Sequence, residues 1–287
     1  MAIDFTYALP YLLLWVAFGV ALLTGRRFLA LAFTALSLAA AMGAGIVEWA
    51  GLAVLVLFAV LCLAAVRSES PSVIRTLAWG IVVILTAALA INQVPGIHNV
   101  LVLDGVLVSA SSADFTLYWN YDKGFAGILL YAVCVQPQGN PSWRRAILAT
   151  ATLAILTTVV AVGTATAAGY TAWDPKWPAI LGVWVPANLL LTCVSEETIF
   201  RGILQRNAES FLRGRVPAPG LAALLVCAVA FGVAHIAGGT TYVLLSTLAG
   251  IGYGAAYYVT GRVEAGILVH FLVNLSHLIL FTYPFAA

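Results

Sequence analysis

Ser195-Glu-Glu-Thr-Ile-Phe-Arg-Gly202 stands near the end of an apolar run that begins at about Pro178. The stretch brings two adjacent carboxylates and an arginine into surroundings where charge is costly. On insertion scales a carboxylate in the hydrocarbon of a bilayer costs on the order of 3 kcal/mol, so such a residue needs a partner or a task. If the stretch is a helix, Glu196 and Glu197 point about 100° apart. Glu197 and Arg201 are four residues apart and share a face, where carboxylate and guanidinium can pair. The spacing therefore predicts a structural clamp of Glu197 with Arg201, and a Glu196 that faces something else.

The rest of the chain agrees with a membrane setting. Of 287 residues, 63% are hydrophobic and 8% charged, with a mean hydropathy of +1.03. Soluble domains average roughly half apolar and a quarter charged. The reading is an all-α, polytopic transmembrane bundle. A net charge of +2 with no basic run gives no footprint for nucleic acid. Cys62, Cys134, Cys193 and Cys227 all lie inside apolar segments without short paired spacing, which argues against disulfides or a cysteine zinc site and for buried thiols. The first apolar run has no basic leader and no small-residue cleavage site, so it reads as a retained span.

Spans of about 20 apolar residues, broken at basic residues, Pro and Gly, are expected at about Tyr7–Gly25, Phe28–Val47, Gly51–Val66, Thr76–Asn92, Lys123–Gln136, Ala146–Ala168, Pro178–Gln205, Gly220–Gly238, Thr241–Thr260 and Glu264–Phe281. The span from Lys123 is short, so eight to ten membrane segments are predicted. Arg26, Arg27, Arg67, Arg75, Arg144, Arg145, Arg206, Arg213, Arg215 and Arg262 fall in alternate connections, whereas the other connections carry Asp104, Asp114, Asp174 and Lys176. Positively charged loops stay in the cytoplasm, which places both termini outside it. The longest connection, near residues 93–122, has room for short strands or a helix lying on the membrane. Its last residues, Trp119-Asn-Tyr-Asp-Lys123, read as an interface anchor, and His98 as a solvated histidine.

Two further apolar segments carry ionisable groups. Phe231-Gly-Val-Ala-His235 sits late in one, and His270-Phe-Leu-Val-Asn274 in the last, with His277 seven residues beyond His270 on nearly the same stripe. Three helices thus each bring polar groups into the membrane, more than interhelical hydrogen bonding alone calls for. There is no G-x-S-x-G elbow, no cysteine with a close base and no phosphate-cradling glycine loop. Two schemes fit what remains. In one, Glu196 is the general base for a water that His235 helps to hold, and His270 with Asn274 stabilises the oxyanion formed at an amide. In the other, Glu196, His235 and His270 ligate a Zn²⁺ that activates the water. The absence of H-E-x-x-H favours the first.

These motifs resemble those of the CAAX prenyl protease and bacteriocin-processing family of glutamic intramembrane proteases. The likeness runs from about Leu189 to Leu280 and rests on E-E-x-x-x-R at Glu196 to Arg201, F-x-x-x-H at Phe231 to His235, and H-x-x-x-N at His270 to Asn274, in that order. The Gly250-Ile-Gly-Tyr-Gly stretch is similar to the family's glycine-rich helix. The resemblance implies that Glu196 is the water-activating base with His235 as partner, that His270 and Asn274 form the oxyanion site, and that Glu197 and Arg201 support them, with no resident cofactor. It also implies hydrolysis of a peptide bond near the membrane surface of a membrane-anchored or lipid-modified protein. Residues 169–287 would then be the catalytic core and residues 1–168 an N-terminal group of helices with the outer loop. An alanine-rich, lysine-poor composition points to a bacterial inner membrane, and so to a sorting or maturation enzyme. The other classes to weigh are a proton-coupled transporter, for which no repeated halves are evident, and a non-catalytic binding or immunity protein.

A straight-helix picture carries one tension. At 1.5 Å per residue, Glu196 lies about 27 Å from Pro178, and His235 about 22 Å from Gly220 on a helix running the other way. For the two to meet, either residues 178–184 lie partly outside the hydrocarbon or the stretch 214–220 dips inward.

Overall fold

A computed structural model describes residues 4–66, 72–135 and 142–287; Arg67 and Gln136 lie outside the described residues. The bundle is all-α apart from one two-stranded sheet. In chain order come α1 (Phe5–Thr24), α2 (Arg27–Gly43), α3 (Trp49–Val66), α4 (Ser72–Ala90), β1 (Val100–Val106), β2 (Phe115–Trp119), α5 (Tyr121–Cys134) and α6 (Trp143–Ala167). Then α7 (Leu181–Pro186), α8 (Val194–Glu197) and α9 (Arg206–Leu212) join through π-helical turns at Ala187–Cys193 and Thr198–Gln205 into one rod. α10 (Pro219–Val233), α11 (Gly239–Thr260) and α12 (Val263–Leu280) complete the chain. The expected ten segments each correspond to one helical rod among the described residues. Six of the helices are long and apolar enough to cross a membrane, and α2 and α10 are shorter apolar helices. The chain is an integral membrane protein.

The residues form two compact units. The first comprises 1–102, 117–135 and 190–195, and the second 103–116, 136–189 and 196–287. In this division α6 groups with the C-terminal helices.

In the first unit α5 is the central element. It is buried along nearly its whole length and touches α1, α2, α3 and α4. Its start is a polar knot. Tyr11 Oη donates to the Trp119 carbonyl (2.8 Å), the hydroxyls of Ser37 and Tyr121 are 3.1 Å apart, and Asn99 Nδ2 donates to Asp122 Oδ1 (3.1 Å). Trp119, Tyr121 and Asp122 are buried, so this motif is a packed junction where the sequence pattern reads as an interface anchor. A short helix enclosed by neighbours must satisfy its first N–H groups and its acid internally. His98 is exposed as expected, but its Nε2 pairs with Glu48 Oε1 at 3.0 Å. All four cysteines are buried and outside any disulfide.

Close approach inside this unit depends on Gly127, where a Cβ would overlap the side chain of Ser195. Gly127→Val is expected to lower stability by about 1–3 kcal/mol, the usual cost of forcing bulk into a packed site. A reduced thermal unfolding midpoint in detergent, partly restored by Ser195→Gly, would show it.

The second unit packs small against small. The α6 residues Ala154 and Ala161 are buried against Phe231, Ala249, Ala256 and Ala265, while Ile155 and Val159 on the same helix are 66% and 65% exposed. Lipid solvates large aliphatic groups as well as protein does, so helices associate through small residues that let backbones approach, and the bulky ones face outward. α11 stops at Gly261, whose φ of 66° is the left-handed conformation that glycine tolerates best. The loop 170–176 pairs with the segment after α12: Asp174 N–H donates to the Leu280 carbonyl (2.9 Å) and Thr282 N–H to the Ala172 carbonyl (2.9 Å). Residues 111–113 join the same layer, with Ala113 N–H donating to the Phe285 carbonyl (3.1 Å).

Candidate active site

The site is built on α8 and the π turn that follows it, facing α10, α11 and α12 of the second unit. Glu197 and Arg201 form the clamp expected from their spacing: Arg201 Nε lies 2.8 Å from Glu197 Oε2, and neither side chain is exposed. Burying a single charge is prohibitive, and a close, hydrogen-bonded pair is what makes both tolerable here. The guanidinium carbon also stands 5.4 Å from the centroid of the Phe231 ring, within cation–π range.

Glu197 has a second task that spacing along one helix does not disclose. Its Oε1 lies 3.0 Å from His270 Nδ1 on α12. A carboxylate can only accept, so Nδ1 carries the hydrogen and Nε2 is the other hydrogen-bonding atom of the ring. The His270 imidazole stacks on Tyr253 of α11, with ring centroids 4.3 Å apart and planes 12° apart. A carboxylate at one edge and an aromatic face above hold that ring in a single orientation.

Glu196 turns away from this pair, as its helical offset predicts. It is nearly buried, and its Oε2 lies 4.0 Å from His235 Nε2. His235 follows the end of α10, where its Nδ1 sits 2.8 Å from the Phe231 carbonyl. A carbonyl cannot donate, so Nδ1 holds a hydrogen and Nε2 is the ring atom turned towards Glu196. Phe231 is the hub between these groups: its ring lies 4.7 Å from that of His235, 5.7 Å from His270 and 5.7 Å from Tyr253. Glu196 and His235 meet, although a straight-helix picture keeps them apart in depth. The rod begins at Leu181, so residues 178–180 precede it, and its π turns pack more residues into each turn than an α-helix does.

Asn274 lies one turn beyond His270 on α12, and its Nδ2 donates to Asn188 Oδ1 at 3.2 Å. Asn188, in the first π turn, is a site neighbour that motif reading passes over. The signal for it was present: an amide side chain in the apolar run Ala187-Asn-Leu-Leu-Leu191 needs a partner just as Glu196 does. Tyr253 and Tyr242 are two more such neighbours; the Tyr242 ring stands edge-on to His235 at 5.5 Å. Among the described residues, no group of three His, Cys, Asp or Glu side chains could hold a metal ion. The alternative zinc ligands therefore do not converge: His270 is engaged by Glu197, and His235 faces Glu196.

The arrangement can do acid–base chemistry. It joins a carboxylate and an imidazole close enough to share one small molecule to a second imidazole and an amide on the neighbouring helix, behind a neutralised ion pair. No curated protein and no solved structure matches the chain significantly. Residues 175–276, from the loop before α7 to just past Asn274, match the model of the family described as Rce1-like, type II CAAX prenyl endopeptidase. The match covers about a third of the chain, and over that segment the chain is similar to the CAAX protease family.

Proposed function

We propose that the protein is an intramembrane endopeptidase in which Glu196 activates water. The observation that carries this reading is the Glu196–His235 pair at 4.0 Å, with Nδ1 of His235 committed to a backbone carbonyl. A water between the two can give one hydrogen to Glu196 and one to His235 Nε2, leaving an oxygen lone pair for a substrate carbonyl. As that oxygen bonds to the carbonyl carbon, its proton passes to Glu196 and the carbonyl π pair becomes the oxyanion. His270, when doubly protonated, and Asn274 donate hydrogen bonds to that oxyanion. Collapse re-forms the carbonyl and breaks the C–N bond, and Glu196 returns the proton to the departing amine. The products are a new carboxyl terminus and a new amino terminus.

Glu197 and Arg201 act at one remove, by fixing the His270 ring and neutralising the helix around it. The substrate class that suits a site inside the membrane is a membrane-anchored or lipid-modified protein cut near its C-terminal region. The alanine-rich, lysine-poor composition supports a bacterial inner-membrane sorting or maturation enzyme. Comparing membrane proteomes of a host expressing wild type or His235→Ala tests the reading. A defined set of uncut precursors should accumulate in the variant. Identical proteomes, with both proteins folded and equally abundant, would favour a binding or transport role.

A further inference from the structure

We infer that the Glu196–His235 pair is reached from the extracytoplasmic face, so that the segment cut is one lying outside the cytoplasm. The second unit alone carries the argument. Its arginines 144, 145, 206, 213, 215 and 262 stand at one set of helix ends: in the first turn of α6, along and after α9, and between α11 and α12. The opposite ends carry Asp114, Asp174 and Lys176 in segments 103–116 and 168–180, and they join the residues that follow α12. Arginine-rich ends stay in the cytoplasm, which makes the layer built from 111–113, 170–176 and 281–287 extracytoplasmic.

The site is packed shut towards the arginine side, and on the other side its histidine lies beside the outer layer. From Glu196 the rod runs inward past Arg201 and Gln205, which are 0% and 1% exposed, and Gln205 Nε2 closes onto the Gly254 carbonyl at 3.2 Å. In the other direction His235 lies beside Tyr242 in the first turn of α11, at the end of that helix away from Arg262. Tyr242 in turn stacks on Tyr170, which is bonded through its carbonyl to Ala286 in the outer layer. Ile236, next to His235, is 69% exposed. Asn188 and Asn274 continue the polar file outward, each roughly 10 Å from the outer end of its helix by helical rise.

The sidedness stands on geometry and charge; the claim about the substrate rests on the peptidase reading. Both are tested with Ile236→Cys and Arg213→Cys, placed singly in the otherwise native chain, whose four cysteines are buried. A membrane-impermeant maleimide added to spheroplasts should label the Ile236→Cys protein, and should label the Arg213→Cys protein only after permeabilisation. Labelled Ile236→Cys protein should lose precursor processing that the unlabelled variant retains. Labelling of Ile236→Cys from the cytoplasmic side alone, or no labelling from outside, overturns the proposal while leaving the peptidase reading intact. Outside labelling without any precursor processing sinks the peptidase reading and leaves the sidedness standing.

Discussion

Purified Glu196→Gln protein in lipid bilayers is expected to cleave peptide about 10²–10⁴-fold more slowly than wild type, the usual contribution of a positioned general base. Glutamine keeps the shape and one oxygen of the side chain but cannot take a proton from water. Glu196 lies apart from the Glu197–Arg201 clamp, so the unfolding midpoint should hardly move, and it separates a chemical from a structural effect. A Glu196→Gln protein that cuts at the wild-type rate would remove Glu196 from the role of base. An unchanged rate together with a collapsed midpoint would make it a packing residue.

Arg201→Met should do the reverse. Removing the guanidinium leaves Glu197 charged and unexposed with His270 as its remaining partner, and stranding a buried charge costs about 3–5 kcal/mol. Methionine fills much of the volume, so the loss is electrostatic rather than a cavity. Adding Glu197→Gln to Arg201→Met removes the stranded charge and should recover part of that loss. Thermal unfolding of the three proteins in one detergent measures the cycle. If Arg201→Met unfolds at the wild-type midpoint, the pair is not the clamp that the geometry describes.

The parts of this account that were legible in the sequence are those governed by local periodicity. Four-residue spacing foretold the Glu197–Arg201 bond, and the offset of neighbouring residues foretold that Glu196 would look elsewhere. Apolar run length located most helix ends to within about five residues, because hydrocarbon thickness leaves little freedom, but the rod continues past Gln205 to Leu212. What escaped were contacts made across helices. Nothing in the order of residues says that Glu197 also reaches His270, that Asn188 meets Asn274, or that Phe231 stands between both histidines. The π turns were hidden too, since a change of hydrogen-bond register from i−4 to i−5 leaves no compositional mark. At Trp119 to Lys123, aromatic and charged residues beside a span suited an interface anchor equally well. Only the enclosure of α5 by its neighbours decided for a buried junction.

The most direct test of the central claim is to incubate reconstituted wild-type protein with membrane-anchored peptides in ¹⁸O-labelled water and to read new termini by mass spectrometry. The account predicts new carboxyl termini that carry one ¹⁸O atom, formed about 10²–10⁴-fold more slowly by Glu196→Gln than by wild type. New termini formed equally by both proteins, or none formed by folded wild type with substrates drawn from the accumulated precursors, would contradict it.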